Sequence, residues 1–135
     1  MIVLDSSFLI AYHNTRDVHH AAAARTMVHL TASQWGRALL LEYVFLEVVT
    51  VLRARRGLSL ASSVGGTLLQ AREIDFVPCS DLFLESFDEF RRQANGELSL
   101  VDAAVLTVAR RSVPGFVATF DEDFRQCEGV AVIPG

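Results

Sequence analysis

The chain of 135 residues contains no lysine, and all 12 of its basic residues are arginine. A Walker-type phosphate loop and a Schiff-base amine each need a lysine, so both chemistries are excluded in their standard form. Receiver-type and haloacid-dehalogenase-like phosphotransfer sites, which pair an acidic pocket with a lysine, go with them. Cysteine is equally scarce. Cys79 and Cys127 stand apart and outside any CxxC or Cys/His spacing, which speaks against a disulfide framework or structural zinc and suits a reducing cytosol. Long apolar runs are missing too: Leu39 to Leu52 is the most apolar stretch, and Glu42 and Glu47 interrupt it. It is too short and too charged to span a bilayer. The opening MIVLDSSFLIAYHN has neither a basic segment nor a small-residue cleavage site, so it is no secretory signal. The expectation is a cytoplasmic protein without a membrane partner.

What is present is a hydrophobic fraction of 51% and a mean hydropathy of +0.33, which excludes a disordered chain and suffices for one domain, 1–135, with a core of its own. Short apolar runs alternate with helical patterns. Strands are expected at Ile2–Leu4, Arg37–Leu41, Ile74–Val77, Phe116–Thr119 and Val130–Ile133. Between them the pattern predicts helices from Ser7 to Tyr12, after Asp17, from Glu42 to Arg56 with Gly57 as the stop, from Ser59, from Ser80 to about Asn95, and from Ser99. A helical turn is expected at Asp121 to Gln126. The fold class that follows is α/β, a parallel five-stranded sheet with helices on both faces. In such sheets function sits beyond the carboxyl ends of the strands.

The acidic residues gather there. Asp5 directly follows the first strand, and Asp121 follows the fourth within Thr119-Phe120-Asp121, so both project from one edge of the sheet. Asp102 lies in the first turn of the helix that Ser99 caps. Glu47 sits inside YVFLEVVTVL, where its helical neighbours Tyr43, Val44, Thr50 and Val51 predict no solvent face. A bare buried carboxylate is costly unless a cation compensates it. Arginine is the protein's own candidate, and none lies one turn from Glu47. A divalent metal is the other, and hard oxygen ligands favour Mg²⁺ or Mn²⁺ over zinc.

Together, Asp5-Ser6-Ser7 after the first strand, a glutamate in the third helix, Leu98-Ser99-x-x-Asp102-Ala103 and Thr119-Phe120-Asp121-Glu122-Asp123-Phe124 resemble the PIN domain, specifically the small VapC-type toxin ribonucleases. The resemblance covers nearly the whole chain. It implies an RNA endonuclease that uses one or two Mg²⁺ or Mn²⁺ ions, leaves a 5′-phosphate and a 3′-hydroxyl, and is restrained by a cognate antitoxin. Position by position, Asp5, Glu47, Asp102 and Asp121 match the family's catalytic, metal-holding quartet, and Asp123 matches a frequent additional acid. Ser7 and Thr119 match polar positions that orient metal-bound water or a carboxylate beside the substrate. The helix also offers Glu42, about 140° from Glu47; Glu47 is preferred because Glu42 lies in the first turn, where a carboxylate complements the helix dipole.

Arg53, Arg55 and Arg56 form the densest basic group. They suit RNA phosphates, and equally the negative end of their own helix. His13, His19, His20 and His29 lack a ligand spacing and are expected at the surface. Phe83, Phe87 and Phe90 recur at helical spacing, as core or interface packing does. The apolar content leaves room for a homodimer interface. Rival readings are a catalytically silent PIN-fold binding module and an acidic-site nuclease acting on DNA. With the five candidate ligands set aside, 11 acidic residues face 12 arginines, so the net charge of −4 is concentrated in one proposed pocket and need not repel RNA.

Overall fold

Ile2, Val3 and Leu4 have no solvent exposure, as a strand covered on both faces requires. They form β1 (Ile2–Leu4), the middle strand of a parallel sheet in a computed structural model that describes residues 1–93 and 96–135. Then follow α1 (Ser6–His13), α2 (His20–Thr31), β2 (Ala38–Leu41), α3 (Glu42–Arg56), α4 (Leu58–Gln70) and β3 (Ile74–Val77). A short 3-10 turn at Ser80–Leu82 leads into α5 (Phe83–Arg91), α6 (Leu100–Ala109), β4 (Gly115–Ala118), a second 3-10 turn at Glu122–Gln126, and β5 (Val130–Ile133).

The strand order is β3-β2-β1-β4-β5, with every pair parallel. Val3 is aligned with Leu39 on one side and with Val117 on the other. The chain therefore winds outward from β1 through β2 to β3, crosses back, and continues from β4 to β5. Crossovers of constant right hand put helices before and after that reversal on opposite faces. The packing agrees: α1 touches α2 and α3, and α3 touches α4, while α5 pairs with α6. The reversal makes the β1/β4 boundary a topological switch point, where the crevice of an open α/β sheet lies.

Two glycines matter to this arrangement. Gly57 adopts φ +93, closing α3 with its N–H on the Arg53 carbonyl; a side chain there would be strained. Gly115 opens β4 so close to α6 that a Cβ would lie 2.2 Å from the Ala109 carbonyl oxygen. α1, β2, α4 and β4 have ends one residue away from those expected, and the helix expected from Ser80 differs more. The helix expected from Ser80 begins as a 3-10 turn, without a side-chain cap from Cys79, and α5 ends at Arg91; the expected end at Asn95 lies outside the described residues. Phe83, Phe87 and Phe90 are partly exposed on α5 instead of buried in the core. Arg110 pairs with Glu89 and Arg111 with Glu85, joining the end of α6 to α5. Among the described residues no helix is long and apolar enough to cross a membrane.

Candidate active site

The side chain of Asp5 leaves the buried end of β1 directly, and the residue is only 2% exposed. Two hydroxyls converge on its Oδ2: Thr119 Oγ1 donates at 2.6 Å and Ser7 Oγ at 3.0 Å. A hydroxyl has one proton to give, so each oxygen is left to accept. Thr119 Oγ1 takes the Asp121 N–H at 2.9 Å, and Ser7 Oγ takes the Phe120 N–H at 2.9 Å. One small network thus fixes the carboxylate and the turn that carries Asp121. The Asp5 Oδ1 atom is buried without a partner. Burial, then the nearby Asp102 charge, push this carboxyl up to about 6 against the pull of its hydroxyl donors.

Asp102 occupies the third position of α6. It accepts the Ser99 N–H at 3.0 Å while Ser99 Oγ accepts the Asp102 N–H at 3.0 Å, a reciprocal capping box. Its carboxyl is held above the usual range by burial first, then by the charges of Asp121 and Glu47. Asp121 Oδ1 caps the following 3-10 turn through the Asp123 N–H at 2.9 Å. Asp102 therefore feels the charges of Asp121 and Glu47 and acts in turn on Asp5, which makes it the link among the four acids.

Glu47 is only half-buried, contrary to the expectation of no solvent face. The buried stripe of α3 is Val44, Val48 and Leu52, and Glu47 lies on its flank toward α1, where Ser6 Oγ donates to its Oε1. Glu42 points elsewhere and accepts the Cys79 N–H at 2.9 Å, so it takes no part in the site. Ser6 is the functional neighbour that sequence reasoning missed. Its signal was the Asp5-Ser6-Ser7 triplet at a helix start, where consecutive side chains diverge by about 100° and serve different partners.

Ser6, Ser7, Glu47 and Asp121 border a cleft of about 390 Å³ that Arg55 and His19 also line. The three arginines of α3 separate here. Arg55 faces the cleft, Arg56 donates to Asn14 Oδ1 at 2.6 Å and ties α3 to the end of α1, and Arg53 lines a different hollow with Gly57 and Leu58. Arg53 and Arg56 are thus not brought to the site with Arg55. Ser7 and Thr119 both hold Asp5; Ser7 also borders the cleft, whereas Thr119 is wholly buried and positions the carboxylate without lining a substrate surface. Asp123 borders a neighbouring hollow of about 420 Å³ with Arg110 and Cys127, although the Asp121 charge first, then burial, raise its carboxyl too.

Among the described residues no three His, Cys, Asp or Glu side chains stand close enough to enclose an ion. The donor set nevertheless fits a hard divalent cation: it is all oxygen, concentrates negative charge, and includes a buried carboxylate oxygen with no partner. A cation there would satisfy Oδ1 and relieve the mutual repulsion that raises these carboxyls.

The PIN domain family model matches residues 2–130. The chain belongs to the PIN domain family. Among solved structures, the Mycobacterium tuberculosis toxin VapC20, described as cleaving the sarcin-ricin loop, is similar at 26% identity and a TM-score of 0.80, with 93% of each chain covered. VapBC2 from Rickettsia felis, bound to a DNA fragment from its promoter, aligns at 12% identity and a TM-score of 0.71 over 98% of this chain and 97% of that one; at that identity the likeness concerns the fold. Among curated proteins none matches the chain. The PIN fold accounts for the five parallel strands.

Proposed function

We propose that this PIN domain is a metal-dependent endoribonuclease, the toxin component of a toxin-antitoxin pair, acting in the cytoplasm. The observation that carries the reading is Asp5: a carboxylate buried at the switch point, held by two hydroxyls on one oxygen, bare on the other, and facing a second acid. Asp5, Glu47, Asp102 and Asp121 would hold one or two Mg²⁺ or Mn²⁺ ions, with Asp123 at the margin. Such an ion, when bound, supplies Lewis-acid polarisation of a phosphoryl oxygen and acidifies water.

The chain's own groups do the positioning. Thr119 and Ser7 fix the Asp5 carboxylate, Ser6 fixes Glu47, and the capping box fixes Asp102. Arg55 lines the cleft where a backbone phosphate would run, and a guanidinium suits phosphate in a bidentate manner. The similarity to VapC20, a toxin that cleaves the sarcin-ricin loop, supports RNA as substrate, and a toxin of that kind would have a cognate antitoxin as partner. The exposed apolar side chains Leu46, Phe83, Leu84 and Phe87 support a homodimer. Mapping product ends tests the reading: with Mn²⁺ or Mg²⁺, RNA fragments should carry 5′-phosphates and 3′-hydroxyls. Cyclic phosphate ends, or cleavage of DNA in preference to RNA, would overturn it.

A further inference from the structure

His19 is exposed, yet it is not an unattached surface residue. Its ring lies parallel to that of Phe120, with centroids 4.4 Å apart and planes 5° from parallel. Phe120 in turn stacks on the buried Phe8, with centroids 6.0 Å apart and planes 6° from parallel. Three rings thus form a column that starts in the core and ends at the surface. The loop carrying His19 is fastened on both sides. Asp17 Oδ1 accepts the His19 N–H at 2.8 Å, and His20 Nδ1 bonds the Ala11 carbonyl of α1 at 2.9 Å. Phe120 is equally fixed, since its N–H is held by Ser7, the residue that holds Asp5.

The end of this column borders the same cleft as Glu47, Asp121 and Arg55. A flat, pre-oriented ring that borders one cleft with acids and a guanidinium suits a single-stranded nucleic acid, which offers alternating phosphates and π faces. Bases splayed from single-stranded RNA stack on aromatic and histidine rings with little sequence preference. We infer that His19, backed by Phe120, is a stacking platform for a nucleobase next to the cut phosphate, and so a positioning residue for the RNA. The inference rests on the nuclease reading and names the side of the cleft along which the strand is held.

The test separates the two. Affinity is measured by fluorescence anisotropy for a short labelled single-stranded RNA, and for the same strand made of abasic residues, with Mg²⁺ present. An Asp102→Asn background silences cleavage, and wild-type cleavage is assayed in parallel. His19→Ala should weaken binding of the intact RNA about five- to twentyfold. It should leave abasic RNA binding unchanged, because no stack remains to be lost. His19→Phe should restore affinity for the intact RNA, and the salt dependence of binding should be the same in all three, since stacking releases no counterions. Equal affinity of His19→Ala and its parent for intact RNA would overturn the platform, as would an equal loss on abasic RNA or failure of His19→Phe to rescue. Those last two results would point to a charge contact or to a protein-binding role for His19. Absence of wild-type cleavage would instead overturn the nuclease reading, whatever the binding data show.

Discussion

Thr119 Oγ1 donates to Asp5 Oδ2 at 2.6 Å, joining the ends of β4 and β1 across the point where the sheet reverses direction. The same oxygen accepts the Asp121 N–H, so one hydroxyl sets the distance between two acids that are far apart in the chain. Thr119 is wholly buried. Its replacement by valine keeps the shape and deletes the bond. Thr119→Val should lower stability by about 2 kcal/mol, the cost of a buried hydrogen bond to a charged group. Urea unfolding would show this as a lower midpoint at unchanged slope; an unchanged midpoint would mean the bond holds nothing.

Asp5 gives the protein a pH-dependent stability when metal is removed. Its carboxyl is raised from 3.8 to about 6, so the folded state binds the proton more tightly than the unfolded state. Below the unfolded value both states are protonated and there is no penalty. As pH rises through the folded value, the buried charge appears and stability falls, by about 3 kcal/mol in all. Asp102 and Asp123 are shifted in the same direction. Denaturation in EDTA should therefore show the wild type losing stability from about pH 4 to pH 6, and a much shallower decline in Asp5→Asn. Parallel profiles for the two would contradict the assignment.

Ser6 and Glu47 make a second, independent test. Ser6→Ala removes the donor to the Glu47 carboxylate without touching Asp5. The glutamate is half-exposed, so water replaces the lost bond and stability should hardly change. Its position, however, is no longer defined. RNA cleavage should fall about tenfold and need a higher Mn²⁺ concentration to saturate. Unchanged activity would remove Ser6 from the account.

The arginines of α3 should differ among themselves. Arg55→Ala, at the cleft, should weaken RNA binding and reduce the slope of log affinity against log salt by about one. Arg53→Ala, beside Gly57 and Leu58, should do neither. Arg56→Ala should act on stability, because it removes the tie between α3 and the buried Asn14, leaving Asn14 Oδ1 with the Arg16 N–H alone. Titrations at several salt concentrations would distinguish them, and equal slopes for Arg53→Ala and Arg55→Ala would refute the division.

Much of this was legible in the amino-acid pattern, for identifiable reasons. Residues 74–77, 130–133 and 42–56 are bounded by glycine, proline or a change of periodicity, and these elements have the expected limits. Asp5, directly after β1, and Asp121, shortly after β4, were legible because an acid just past a parallel strand emerges at the carboxyl edge of the sheet. α5 was less so: Ser86 is its one buried residue, so it has little apolar anchoring to mark its ends. Glu47 was singled out for a burial it does not have. Its neighbours in sequence are apolar, but the packed stripe runs through Val44 and Val48, and its real partner, Ser6, is decided by how α1 lies on α3. The divergence of Arg53, Arg55 and Arg56 and the His19–Phe120 stack depend likewise on tertiary packing, which no local spacing encodes.

The central claim is that four acids act as one metal-dependent site. Cleavage of a defined RNA in Mn²⁺ should be measured for the wild type, Asp5→Asn, Glu47→Gln, Asp102→Asn and Asp121→Asn, each with and without EDTA. Chelation should abolish wild-type activity, and each substitution should lower the rate by on the order of 100-fold or more. Cleavage indifferent to EDTA, or Asp102→Asn as active as the wild type, would contradict it.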